Sequence, residues 1–176
     1  MLARDRSIEP TRTTAIGWVV AILLISIGMA SLAGCGSRVS PTDLEPATFV
    51  DLKPADGHLN SLLQIEVNKA VDSHRKPFVE MTADWCKPCK EMHECLDDPL
   101  MADAFAGTYI IRLKVDDWKP EQLEALGLPS DVVPVFCEMN EEAKATGRRI
   151  DGGAWAANIP ANMAPPLKAF FHPPAK

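Results

Sequence analysis

Cys86 and Cys89, separated by Lys87 and Pro88, are the residues of this chain best suited to chemistry. Residues 78–82 before them form a short apolar run that reads as a buried strand. The segment after Cys86 reads as a helix carrying Met92, Cys95 and Leu96. A dithiol at a strand-to-helix junction has a physical rationale. The first sulfur meets the unpaired N–H groups and the dipole of the helix start, which favour a thiolate. The second lies about one turn later, close enough to attack a mixed disulfide formed on the first. Lys87 adds a positive charge expected to lower the thiol pKa further. Pro88 falls in the first helical turn, where its missing N–H costs little. The same two sulfurs would also serve a structural disulfide or a metal pair.

The elements that must hold this pair can be read outward from it. Leu59, Leu62, Leu63, Val67, Ala70 and Val71 recur at helical spacing, and Arg75-Lys76-Pro77 ends that helix. Asp97-Asp98-Pro99 supplies a cap and a proline at the first position of a short helix to Phe105. Residues 109–115 are a strand rich in β-branched residues, and residues 120–126 a short helix ended by Gly127. Residues 132–139 read as a strand interrupted by Pro134, which turns at 140–144 and pairs back over 145–150. Gly152-Gly153 breaks the chain, and a last short helix is expected over 166–171. Residues 154–165, rich in proline and asparagine, receive no element. This order predicts an α/β fold: a central mixed β-sheet flanked by helices on both faces.

The 176 residues allow one domain plus extras, and 47% apolar content is enough for a core. A net charge of −6 points away from nucleic acid, whose binders show a basic face. The amino terminus carries Arg4, Arg6 and Arg12, then an apolar run from Ala15 to about Ala33 with small residues near its end. These are the parts of a secretory signal. The run closes on Leu32-Ala33-Gly34-Cys35, which looks like the lipobox of bacterial lipoproteins. That resemblance implies cleavage before Cys35 and lipidation of Cys35. A plain transmembrane anchor is the alternative, since the run approaches the roughly 20 residues that span a bilayer. Either way the rest of the chain is expected outside the cytoplasm. The expected organisation is a signal peptide over 1–34, a lipidated tether over 35–57 with a short strand near 48–52, and a folded domain over 58–176.

The segment Ala83-Asp84-Trp85-Cys86-Lys87-Pro88-Cys89-Lys90 resembles the active-site segment of the thioredoxin superfamily. Residues 82–92 are similar in particular to the carboxy-terminal domain of the periplasmic thiol reductant transporter and to related exported proteins. The resemblance spans roughly residues 58–172 and implies a thioredoxin-like fold. It implies that Cys86 is the exposed nucleophile, Cys89 the resolving thiol, and Trp85 a shield over both. Glu80 falls where the family has a buried acid that helps move the resolving cysteine's proton, although the family's usual residue there is aspartate. Arg112 falls near the lysine beside that acid. Val133-Pro134 falls on the family's cis-proline, and Gly152 or Gly153 on the glycine beside it. Trp85, Val133, Pro134 and Gly152 are thus the expected substrate groove.

The implied function is a membrane-tethered extracytoplasmic thiol–disulfide oxidoreductase, a reductase by its flanking sequence. Its partners would be protein thiols and disulfides, together with a membrane dithiol electron donor. No nicotinamide or flavin motif is present, so no cofactor is expected, and a monomer is expected. Two rivals remain. Cys86, Cys89, Met92 and His93 lie within two helical turns, and soft ligands suit Cu(I). The chain could also be a non-catalytic structural lipoprotein. A c-type haem site is excluded, because Lys90 stands where haem attachment needs histidine. Cys95 and Cys137 read as small buried hydrophobes, with a mutual disulfide as the alternative.

Overall fold

The runs around residues 76–82 and 108–114 centre on consecutive apolar residues, Phe78-Val79 and Tyr109-Ile110-Ile111, the pattern of strands covered on both faces. In the computed structural model, which describes residues 44–174, they form β2 (Lys76–Thr82) and β3 (Thr108–Lys114). The other strands are β1 (Thr48–Asp51), β4 (Val135–Met139) and β5 (Ala145–Asp151). The sheet order is β1-β3-β2-β4-β5. The pairs β1–β3 and β3–β2 are parallel, while β2–β4 and β4–β5 are antiparallel. Strand β1 lies within the segment read as tether, so that stretch contributes an edge strand to the sheet. Cys35, the signal segment and the first part of the tether lie outside the described residues.

The helices are α1 (Leu59–Asp72), α2 (Lys87–Glu94), α3 (Pro99–Phe105), α4 (Pro120–Glu124) and α5 (Pro160–Phe171). Strand periodicity divides the core between the two sheet faces. Val79, Met81 and Cys137 pack with Leu59, Leu63 and Val67 of α1 and Leu123 of α4. Phe78 and Phe136 pack on the other face with Met92, Met101, Phe105, Met163 and Phe171 from α2, α3 and α5. The result is an α/β architecture, a five-stranded mixed sheet with helices on both faces.

Local signals account for several boundaries. Asp98 Oδ1 accepts the Leu100 N–H at 2.9 Å and Pro99 opens α3, as expected. Helix α1 ends through His74 in a left-handed conformation (φ 56°), with Arg75 N–H returning to the Ala70 carbonyl at 2.9 Å. Pro77 therefore lies inside β2 instead of terminating the helix. The last helix is longer than the expected 166–171. It starts at Pro160, with Pro165 and Pro166 inside it. An interior proline costs about 3 kcal/mol. Burying Met163, Leu167 and Phe171, each under 2% exposed, gains about 1.5–3 kcal/mol apiece, which offsets that cost.

Candidate redox site

Three registers bring the site to one rim of the sheet. Met81, at the end of β2, pairs with Val135, at the start of β4. Val135 in turn pairs with Asp151, at the end of β5. Residues 134 and 152 are thereby placed beside the chain as it leaves β2 toward Cys86. On the other side Thr82 pairs with Lys114, at the end of β3. The connection after β3 then borders the same loop.

Cys86 is the N-cap of α2, and its Sγ accepts the Cys89 N–H at 3.1 Å. The two sulfurs form a disulfide across a Cα–Cα distance of 5.3 Å. Cys86 is 3% exposed and Cys89 1%, and both pack with Ala83, Val115 and Val133. Cys86 is thus the less buried sulfur but not the openly exposed one that the resemblance implied. The apolar residues of the rim close around it. Trp85 is 67% exposed, and its Nε1–H donates to Asp116 Oδ2 at 2.6 Å. It stands beside the cystine as an apolar platform.

The Val133–Pro134 peptide is cis. Gly152 N–H donates to the Pro134 carbonyl at 3.2 Å, and a β-carbon on Gly152 would sit 3.6 Å from Pro134 Cδ. Trp85, Val133-Pro134 and Gly152 therefore come from three separate stretches of chain to one rim. Gly153 is placed one step away, where the Asp151 carboxylate accepts its N–H at 2.8 Å.

The charges around the pair are mostly engaged with one another. Lys87, the residue expected to depress the thiol pKa, is highly exposed and lies 3.3 Å from Glu91 Oε1. Glu91 also accepts from Asn158 Nδ2 at 2.8 Å, and Asn158 accepts from Trp155 Nε1 at 2.9 Å. The Asn158 hydrogen bond, then Lys87, holds the Glu91 carboxyl below its usual range. This chain of contacts places the unassigned residues 154–159 against α2. Asp84 pairs with Lys114 at 2.8 Å, and that hydrogen bond lowers its pKa.

Glu80 is fully buried, which decides against an edge residue facing water. Its Oε1 lies 2.6 Å from His93 Nε2, and its Oε2 has no hydrogen-bond partner among the described residues. Arg112 is the register partner of Glu80 on β3. Its guanidinium turns instead to Asp51, with Nε 3.0 Å from Oδ1 but off the hydrogen-bond direction, and stacks 5.2 Å from the Phe49 ring centre. Sequence reading weighed His93 only as a soft-metal ligand, not as a partner of Glu80, and missed Asp116. His93 lies four residues after Cys89, a spacing that puts both on one helix face. Its partner is 13 residues away and depends on how α2 packs on β2.

Met92 is fully buried in the aromatic core instead of beside the sulfurs. The four residues considered as soft-metal ligands thus do not converge. Among the described residues no cluster of three His, Cys, Asp or Glu side chains is arranged to hold a metal ion. Cys95 and Cys137 are free thiols on opposite faces of the sheet. They cannot pair with each other. Burial pushes the Cys137 thiol up to about 11.

No protein-family model and no curated protein matches this chain. Among solved structures it is similar to a disulphide isomerase from Xylella fastidiosa Temecula1, with 21% identity and a TM-score of 0.48 over 68% of this chain and 95% of that one. Thioredoxin from Trichomonas vaginalis matches at 22% identity and a TM-score of 0.39 over 58% and 84% of the two chains. Thioredoxin NaTrxh from Nicotiana alata matches at 19% and 0.38 over 60% and 82%.

Proposed function

We propose that this chain is a thiol–disulfide oxidoreductase that reduces protein disulfides outside the cytoplasm, tethered to a membrane through lipid on Cys35. The observation that carries the redox reading is the Cys86–Cys89 cystine at the start of α2, beside the exposed Trp85 and the Val133–Pro134 rim. A helix start favours the Cys86 thiolate, which is the nucleophile of exchange. In the reduced state the Cys86 thiolate attacks a substrate disulfide. A mixed disulfide forms and one substrate thiolate leaves. Cys89 then attacks Cys86 Sγ, the cystine re-forms, and the second substrate thiol is released. Two electrons pass to the substrate, so a dithiol donor must restore the pair. A membrane dithiol relay is the donor class this reading requires, and it fits an anchored protein.

The test is insulin reduction by the reduced protein. Cys86→Ser is expected to abolish turnover, and Cys89→Ser to accumulate mixed disulfides. Full activity in Cys86→Ser would remove the nucleophile assignment. A reduction potential near about −270 mV supports the reductase direction, and one near about −120 mV overturns it in favour of an oxidase. The anchor is tested separately. Labelled fatty acid should enter the wild-type chain and not Cys35→Ser, and no labelling of the wild type refutes the tether.

A further inference from the structure

A carboxylate buried beneath a sheet is costly unless it is paired and its oxygens are satisfied. Here one Glu80 oxygen meets His93 at 2.6 Å and the other has no hydrogen-bond partner among the described residues. The pair has a dry end and a wet end, because Glu80 is wholly enclosed while the His93 side chain is 28% exposed. Cys89 and His93 stand one turn apart on the same face of α2. Both line a cleft of about 140 Å³ whose rim includes Thr82, Asp84, Lys90 and Lys114. A water needs polar partners and about 30 Å³, and this cleft offers both beside the resolving sulfur.

We propose that His93 acts through Glu80 as one proton-accepting pair serving Cys89, with His93 exchanging that proton with solvent. This rests on the redox reading above. In the resolving step the Cys89 S–H bond breaks and its proton passes through cleft water to the pair. The freed electron pair attacks Cys86 Sγ, the Cys86–substrate bond breaks, and the substrate sulfur leaves with its electrons and takes a proton from solvent. His93 returns the proton of Cys89 to solvent, so protons and electrons balance without another reactant. Glu80 alone would hold that proton in the core. His93 is a positioning residue, not a catalytic one. The other charges facing the cleft are Asp51 of β1, Asp84, Lys90 of α2, and Arg112 and Lys114 of β3. Asp51 pairs with Arg112 and Asp84 with Lys114, and neither pair hydrogen-bonds Glu80, whose partner is His93.

The experiment follows resolution of a preformed mixed disulfide between Cys86 and a chromogenic thiol, by stopped flow across pH 5–9. Wild type is compared with His93→Gln, which keeps a hydrogen-bonding group but does not titrate, and with His93→Ala. Both variants should slow resolution at least about tenfold near pH 7, less than the roughly 10²–10⁴-fold of a lost general base because Glu80 still accepts the proton. His93→Gln should lose one inflection of the pH profile, and added imidazole should speed His93→Ala. A wild-type rate and profile in His93→Gln would overturn the proposal. So would a uniform slowing with the wild-type profile and no imidazole rescue, which is the mark of a structural role. Attack by Cys86 on the chromogenic disulfide is recorded in the same samples. Its loss in wild type would sink the redox reading itself, whereas its persistence with an unaltered His93→Gln profile sinks only the relay.

Discussion

Replacing Glu80 by methionine should make the folded protein more stable while impairing its chemistry. Methionine is unbranched, as glutamate is, and fills irregular core space. The substitution removes the orphaned Oε2, whose unsatisfied burial costs about 1–3 kcal/mol. It gives up the contact to His93, worth about 0.5–1.5 kcal/mol net for an ordinary hydrogen bond, and His93 can turn to water because it is partly exposed. It places apolar atoms against the neighbouring Phe136, the register partner of Glu80 on β4. Buried ion pairs replaced by apolar groups of similar volume are often neutral or stabilising by about 1–4 kcal/mol. The expected gain is about 1–3 kcal/mol, a rise in Tm of about 3–10 °C for a domain of this size. The assay is thermal and guanidinium unfolding of the oxidised proteins, with Glu80→Gln as a control of the same shape that keeps a buried polar end. Glu80→Gln should fall near wild type. A Glu80→Met protein less stable than wild type by 1 kcal/mol or more would refute the reasoning. It would mean that Oε2 has a partner and that the pair supports the fold.

Other outcomes follow from the core and the remaining titratable groups. Phe171 meets Phe78 and Phe105 at 4.9 Å and Phe136 at 5.4 Å between ring centres. Phe171→Ala should therefore cost about 3–5 kcal/mol in urea unfolding, and a loss under about 1 kcal/mol would contradict the packing of α5. Burial raises the Cys137 pKa from 9.0 to about 11, so its thiolate fraction at pH 8 should be about 100-fold below that of an exposed thiol. In an oxidised Cys35→Ser protein, iodoacetamide should label Cys95 first and Cys137 only on unfolding. Equal labelling, read by peptide mass spectrometry, would contradict this. Burial holds the His172 pKa below its unfolded value of 6.5, against a hydrogen bond to the Ala104 carbonyl that raises it. The folded state thus favours neutral His172. Its stability contribution is full above about pH 6.5 and is lost as pH falls below that value. His172→Asn should flatten this part of the acid limb, and an unchanged slope would count against the assignment.

Much of this protein is legible in its chain because the signals are local. Cys86 and Cys89 announce a dithiol through spacing alone. The Asp98-Pro99 start of α3, the apolar spacing of α1 and the β4–β5 hairpin all depend on residues within a few positions of one another. The α/β order follows from their succession. What local pattern could not supply depends on long-range packing. Pro165 and Pro166 read as breakers, yet α5 runs through them because Met163, Leu167 and Phe171 are buried against the aromatic core. Residues 48–51 read as a short strand within a tether, and only the pairing with β3 makes them part of the domain's sheet. His93 looks like an ordinary surface residue until α2 docks on β2 and sets it against Glu80. The solvent access of Cys86 likewise depends on Val115 and Val133, which are far away in sequence. Spacing along the chain therefore specified the pair of sulfurs. The set of the strands, Met81 against Val135 against Asp151, specified what surrounds it, because side chains from distant segments meet only once a register is chosen.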